Sequence, residues 1–248
     1  MKCLPVLLAG LCLGAQAAET MVKTDTAPIA TRPAHFVATD AVDARALWPA
    51  PPAPDSIVAR AELEVVLQFQ AARTSGQAAR CGQIEGEDIF LFGAEVVGPW
   101  FTAASLPQTA AFFAKVRADF IPINRAAKAL YPRRRPPFAD PRIKPCVEFA
   151  DTGAYPSGHG IQSALWAALL GEIFPEHAAG FQQRAQETRR FKLISGVHYP
   201  SDIVAGQVLG EAVARAMLQN PAVRQIIEAL RAEVAPYLPK TSRPAGSG

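Results

Sequence analysis

The chain has 248 residues, half of them hydrophobic, and a formal net charge of +3. That length suits one well-buried domain and is short for two, and that composition excludes a disordered chain. A charge so close to balance, with no basic run interleaved by stacking aromatics, gives no sign of a nucleic-acid-binding surface.

Residues 1–17 read as a secretory signal. Met1-Lys2 supplies a positive start, Leu4 to Leu13 an apolar core, and Ala15-Gln16-Ala17 a small-x-small cleavage pattern, so the mature chain is expected to begin near Ala18. The apolar run is too short to span a bilayer. Gly10-Leu11 before Cys12 suits a lipidation site poorly. Removing this segment takes Cys3 and Cys12 with it and leaves Cys81 and Cys146. An even pair in an oxidising compartment predicts one disulfide. Beyond the signal the longest apolar stretch, Ala164 to Leu170, is far below the length of a membrane span. The expectation is a periplasmic or secreted protein.

Residues 18–55 are expected to form an irregular arm. The run Trp48-Pro49-Ala50-Pro51-Pro52-Ala53-Pro54 excludes helix and central strand, because each proline fixes φ and lacks a donor. From Ser56 the spacing of Val58, Leu63, Val66, Leu67 and Phe69 is helical, with Asp55 or Ser56 as N-cap. A second helix is predicted over Glu87 to Val97, stopped by Gly98-Pro99. A third starts at Leu106-Pro107 and runs through Phe113, Val116 and Phe120. Pro122 is expected to kink or break it, with Asn124 capping a renewed helix to Leu130 or Tyr131. Residues 132–155 are proline-rich and read as irregular. Further helices are predicted over Ser157–Phe174, Pro175–Ile194, Pro200–Leu218 and Pro221–Tyr237, and residues 239–248 as a loose tail. No segment alternates as a strand must. Residues 56–238 therefore predict a single all-α domain, a helical bundle with one long functional loop.

Three stretches carry chemistry. In Pro156-Ser157-Gly158-His159 the serine is a strong N-cap and the glycine lets a ligand approach the backbone, so Gly158 and His159 offer N–H groups at a helix start. Such residues also make an ordinary cap. Downstream, Pro200 fits a first helical turn, which places Asp202 within reach of His198 four residues earlier. A carboxylate there fixes the imidazole tautomer and leaves the other nitrogen free as a nucleophile. Upstream, Lys128 and Arg133-Arg134-Arg135 crowd four cations that need either solvent or an anion.

Taken in order, these residues resemble the type 2 phosphatidic acid phosphatase superfamily, which joins bacterial class A acid phosphatases, integral lipid phosphatases and vanadium haloperoxidases. Lys128, six residues and Arg135-Pro136 match its first motif, and Pro156 to His159 its second in full. His198 and Asp202 match the end of its third, while Phe191 and Lys192 stand where Ser-Arg is expected. The likeness extends from about Asp88 to the last helix and looks most like the soluble bacterial class A non-specific acid phosphatases.

The resemblance implies a secreted, metal-independent phosphomonoesterase without cofactor, active at mildly acidic pH. By it, His198 attacks phosphorus, Asp202 holds the imidazole, and His159 protonates the leaving alkoxide. Lys128, Arg135, the Ser157 hydroxyl, the Gly158 amide and Lys192 hold the phosphate oxygens. Phosphate and vanadate are implied as inhibitors. Lys192 keeps the charge of the expected arginine without its two-pronged grip. That motivates an alternative, a phosphoester-binding protein with weakened catalysis, with Arg189 or Arg190 available to compensate. A vanadium haloperoxidase and a lipid phosphatase share the pocket chemistry. The natural substrate and any homo-oligomer are left open.

Overall fold

Helix α7 (Gly158–Ile173) is apolar on every side, and Ile161, Leu165, Leu169, Leu170 and Ile173 are all buried. A helix without a polar face has to sit at the centre of its domain. In the computed structural model, which describes residues 33–238 and the backbone pairing of Val22–Lys23, α7 is that centre. It packs against α8 (Ala178–Ile194) on one side and α9 (Pro200–Gln219) on the other. Around them lie α2 (Ile57–Ala72), α3 (Ser75–Glu85), α4 (Ile89–Val97), α5 (Pro107–Leu130) and α10 (Pro221–Val234). Two one-turn helices, α1 (Ala44–Leu47) and α6 (Pro136–Ala139), complete the set among the described residues. The fold is all-α, and no described helix is long and apolar enough to cross a membrane. The expected signal segment and the loose tail lie outside the described residues.

Four expectations are corrected. Pro122 does not break α5, which runs unbroken from Pro107 to Leu130. Phe112, Phe113, Val116 and Phe120 before the proline, and Ile123 and Ala127 after it, are buried in the same core. Packing on both sides outweighs one lost hydrogen bond. The chain before Glu87 holds a further helix, α3, started by a capping box between Thr74 and Gln77. Where no strand is expected, the described residues hold one two-residue parallel bridge, β1 (Val22–Lys23) against β2 (Phe149–Ala150). Cys81 and Cys146 do not form the expected disulfide. Both are free thiols in one small cluster, and Cys81 Sγ donates to the Phe191 carbonyl at 3.6 Å.

The arm packs on its own domain. The main-chain N–H groups of His35, Phe36 and Val37 donate to the Asp119 carboxylate of α5, and the Tyr155 hydroxyl donates to the Pro49 carbonyl at 2.8 Å. Helix α5 has no capping side chain of its own; Glu233 of α10 caps it by accepting from the N–H groups of Gln108 and Thr109.

What positions the site is the contact of α7 with α9. A Cβ on Gly206 would stand 2.6 Å from the Ser157 carbonyl oxygen, and one on Gly210 would stand 2.3 Å from that of Ile161. Only glycine allows this approach. It brings the first turns of both helices together, so the Ser157 N–H donates to the Asp202 carbonyl at 2.9 Å. Gly210→Ala is therefore expected to cost about 1–3 kcal/mol or more, because the blocking atom is backbone. Gly82→Ala, in α3 with nothing within 4 Å of the added methyl, is expected to stabilise by about 0.5–1 kcal/mol. Thermal unfolding of the two variants checks both signs.

Candidate active site

Ser157 caps α7, accepting from the Gly160 N–H at 3.2 Å. The N–H groups of Gly158 and His159 precede the first intrahelical donor, the Ile161 N–H that bonds the Ser157 carbonyl, so this helix end presents donors and a positive dipole end. Gly158 and His159 line a cavity of about 190 Å³, which Lys128, Arg135, Lys192 and His198 also line. Six of the eight residues singled out in the sequence thus share one wall. Ser157 and Asp202, both fully buried, stand behind it.

His198 sits in the short loop before α9. Its Nδ1 lies 3.2 Å from Asp202 Oδ2, and its Nε2 lies 3.1 Å from Arg135 Nη1. A guanidinium only donates, so Nε2 is the acceptor and Nδ1 carries the proton toward the carboxylate. Burial, then Arg135, Lys128 and Lys192, hold this imidazole well below its ordinary range. It is neutral, and its unprotonated Nε2 accepts from Arg135, with both side chains lining the cavity.

Asp202 is fixed from three sides: it accepts from the Tyr199 N–H at 2.8 Å, from His198, and from Arg133 Nη1 at 2.7 Å. Burial pushes its acidity down, and Arg133 opposes that. Arg133 also donates to Glu62 at 2.7 Å and to the Ser201 hydroxyl at 2.8 Å, with its guanidinium 3.9 Å above the Tyr199 ring. The basic run therefore divides. Arg133 braces the aspartate, Arg134 is exposed outside the cavity, and Arg135 alone enters it.

The remaining cations are buried and cost desolvation. Lys128 donates to the carbonyls of Gly153 (2.6 Å) and Pro156 (2.8 Å), and burial with Arg135 nearby pushes its pKa down to about 7. Lys192, 1% exposed, pairs with the Glu85 carboxylate. Burial lowers its pKa and Glu85 opposes that. Arg135 is held by the carbonyls of Thr152 (3.0 Å) and Val197 (3.2 Å). Arg189, considered as a substitute for the missing arginine, is buried and does not line the cavity. His159 faces this group of cations. Loss of solvent, then Lys192, push it down to about 3, with the Glu85 charge opposing.

Sequence reasoning missed Glu62, Glu85 and the bracing role of Arg133. The Thr74-x-x-Gln77 capping box was the available signal for Glu85, since it marks the helix that ends there. Glu62 and Arg133 meet only through the tertiary fold.

A family model described as the PAP2 superfamily matches residues 109–225. The chain is 30% identical over 204 residues to a non-specific acid phosphatase of Salmonella typhi, covering 79% of this chain and 81% of that protein. It is 31% identical over 137 residues to an acid phosphatase of Zymomonas mobilis, covering 53% of this chain and 51% of that one. With a non-specific acid phosphatase of Providencia stuartii it shares 26% over 204 residues, 79% and 82% of the two chains.

Removing Arg133 leaves the Asp202 and Glu62 carboxylates buried without their cation. Arg133→Met is expected to cost about 3–5 kcal/mol in urea unfolding. A cost below about 1 kcal/mol would mean that the aspartate does not depend on that brace.

Proposed function

The chain belongs to the PAP2 superfamily, and from that premise we propose that it is an exported acid phosphatase that hydrolyses phosphomonoesters through a phosphohistidine. One observation carries this reading: a neutral imidazole, braced from behind by a carboxylate, holds its unprotonated nitrogen against Arg135 in a cavity lined by three cations and a helix N-terminus.

The reaction follows from that geometry. Lys128, Arg135, Lys192 and the N–H groups of Gly158 and His159 take the phosphate oxygens and neutralise charge that grows on them. His198 Nε2 forms a bond to phosphorus as the ester P–O bond breaks. The leaving oxygen takes the bond's electron pair and a proton from His159. Asp202 stabilises the positive charge on the His198 ring. Water then attacks phosphorus, giving a proton back to His159, and the P–N bond breaks to free phosphate and neutral His198. Ser157 supports this reading from behind the wall, by capping α7, rather than as a phosphate ligand. The positive charge in the cage comes from side chains, so the mechanism needs no metal.

A second reading, a phosphoester-binding protein with weakened turnover, is favoured by one observation: the Lys192 charge is already shared with Glu85. Phosphate release from p-nitrophenyl phosphate separates the two. Hydrolysis should persist in EDTA, should vanish in His198→Ala, and should leave an acid-labile phosphorylated protein on rapid quench of the native chain. Tight phosphate binding without release would favour the second reading.

An entering anion reverses the electrostatics of His159 and Lys128. Both gain proton affinity when a negative charge arrives beside them. His159, at about 3, is unprotonated near pH 6 and binds a proton as phosphate binds, whereas Lys128, at about 7, is already mostly protonated there. Phosphate binding near pH 6 is therefore expected to take up protons from solution, which calorimetry in buffers of different ionisation enthalpy measures. Binding without net proton uptake would count against His159 as the acid.

A further inference from the structure

One acidic side chain lines this cavity among the described residues, and the chemistry above does not use it. Glu85 is the last residue of α3. Its carboxylate pairs with Lys192, and it lines the cavity together with His159. A carboxylate in a pocket built for anions opposes substrate binding by simple charge repulsion, so its place there calls for a compensating role.

We propose that Glu85 is a positioning residue for the reaction, joining two members of the cage from one point: its carboxylate holds Lys192 at the wall, and from its place beside the His159 ring it offsets the positive charge of the surrounding cations. The inference rests on the reading of His159 as proton donor.

The geometry supports this link. Helix α3 is docked on α8 by two contacts one turn apart, Cys81 to the Phe191 carbonyl and Glu85 to Lys192. Its C-terminal end, where the helix dipole is negative, is the part that meets the His159 ring. Four other charged or titratable groups line the cavity with His159. Lys192 comes from α8, Arg135 from the start of α6, Lys128 from α5, and His198 from the loop before α9, with Asp202 behind it. Lys192 and Arg135 disfavour a proton on His159, and Glu85 favours one. In the leaving-group step a proton has to sit on that ring beside those cations. Glu85 is the fixed group on the wall that makes this easier before substrate arrives.

The test is Glu85→Gln, which keeps the backbone and the shape and removes the charge. Two readouts are followed: the titration of His159 by nitrogen-15 NMR of histidine-labelled protein with phosphate bound, assigned with His159→Asn, and the pH dependence of kcat on p-nitrophenyl phosphate, which reports the substrate complex. Removing an opposite charge in contact with the pair is expected to weaken proton binding at His159 about tenfold. The alkaline fall of kcat should move to lower pH by the same amount. A merely structural role would lower activity at every pH, with the profile and the His159 titration unmoved, and that result overturns the proposal. If Glu85→Gln alone leaves too little folded protein, the comparison is repeated in Lys192→Gln, where no buried ammonium is stranded, and the same direction of shift is expected. Absence of His198-dependent turnover in the native chain would defeat the reading of the reaction. The NMR titration would then still decide separately whether Glu85 governs His159.

Discussion

The site depends on how closely α7 and α9 approach. With Gly206 and Gly210 against the backbone of the α7 first turns, the two helices start beside each other. One start carries Ser157, Gly158 and His159, and the other carries His198 and Asp202. A larger residue at either glycine would move one helix relative to the other, and with it one imidazole relative to the other. Reacting groups misplaced by about 1 Å can lose about a hundredfold in rate. On the proposed mechanism the glycines act on catalysis through geometry, although neither lines the cavity. The Ser157 N–H bond to the Asp202 carbonyl ties the two starts directly.

Around that contact the protein sets charges that are costly to bury. Lys128, Arg133, Arg135 and Lys192 are largely withdrawn from water, and isolated charges in such surroundings either find partners or give up protons. The partners differ in kind. Arg133 has two carboxylates, Asp202 and Glu62, and Lys192 has Glu85. Lys128 and Arg135 are held mainly by main-chain carbonyls, which orient them without cancelling their charge.

Much of this was legible in the sequence. The helix starts at Ser157 and Pro200 and the all-α class follow from local rules, because caps, first-turn prolines and i to i+4 spacing are short-range properties, whereas the six residues that share the cavity come from the order of the motifs in the family resemblance. The failures have a common cause. Pro122 reads as a break by local propensity, yet the buried phenylalanines on one side and Ile123 on the other hold the helix through it. Arg133, Arg134 and Arg135 are one basic cluster on paper and have three different fates, since their directions are set by Glu62 and Asp202, distant in sequence. Cys81 and Cys146 are even in number and near in space, yet the Cys81 thiol points at the Phe191 carbonyl. Local rules give a residue's capability, and tertiary partners decide how it is used.

The pattern of partners also divides the cavity. Where a buried cation already has a carboxylate, a second anion gains little; where it has only carbonyls, the anion meets an unopposed charge. Lys128 and Arg135 are of the second kind, and Arg135 stands 3.1 Å from His198 Nε2. On the proposed reaction, a phosphate is drawn to the side of the nucleophile, between these two cations and the α7 N-terminus. On the same proposal Lys192, paired with Glu85, stands on the leaving-group side, where an unpaired positive charge would depress the proton affinity that the departing oxygen needs. On this division, lysine in place of the expected arginine is a change at the leaving-group end of the pocket. The attacking end keeps the arginine and lysine of the first motif intact.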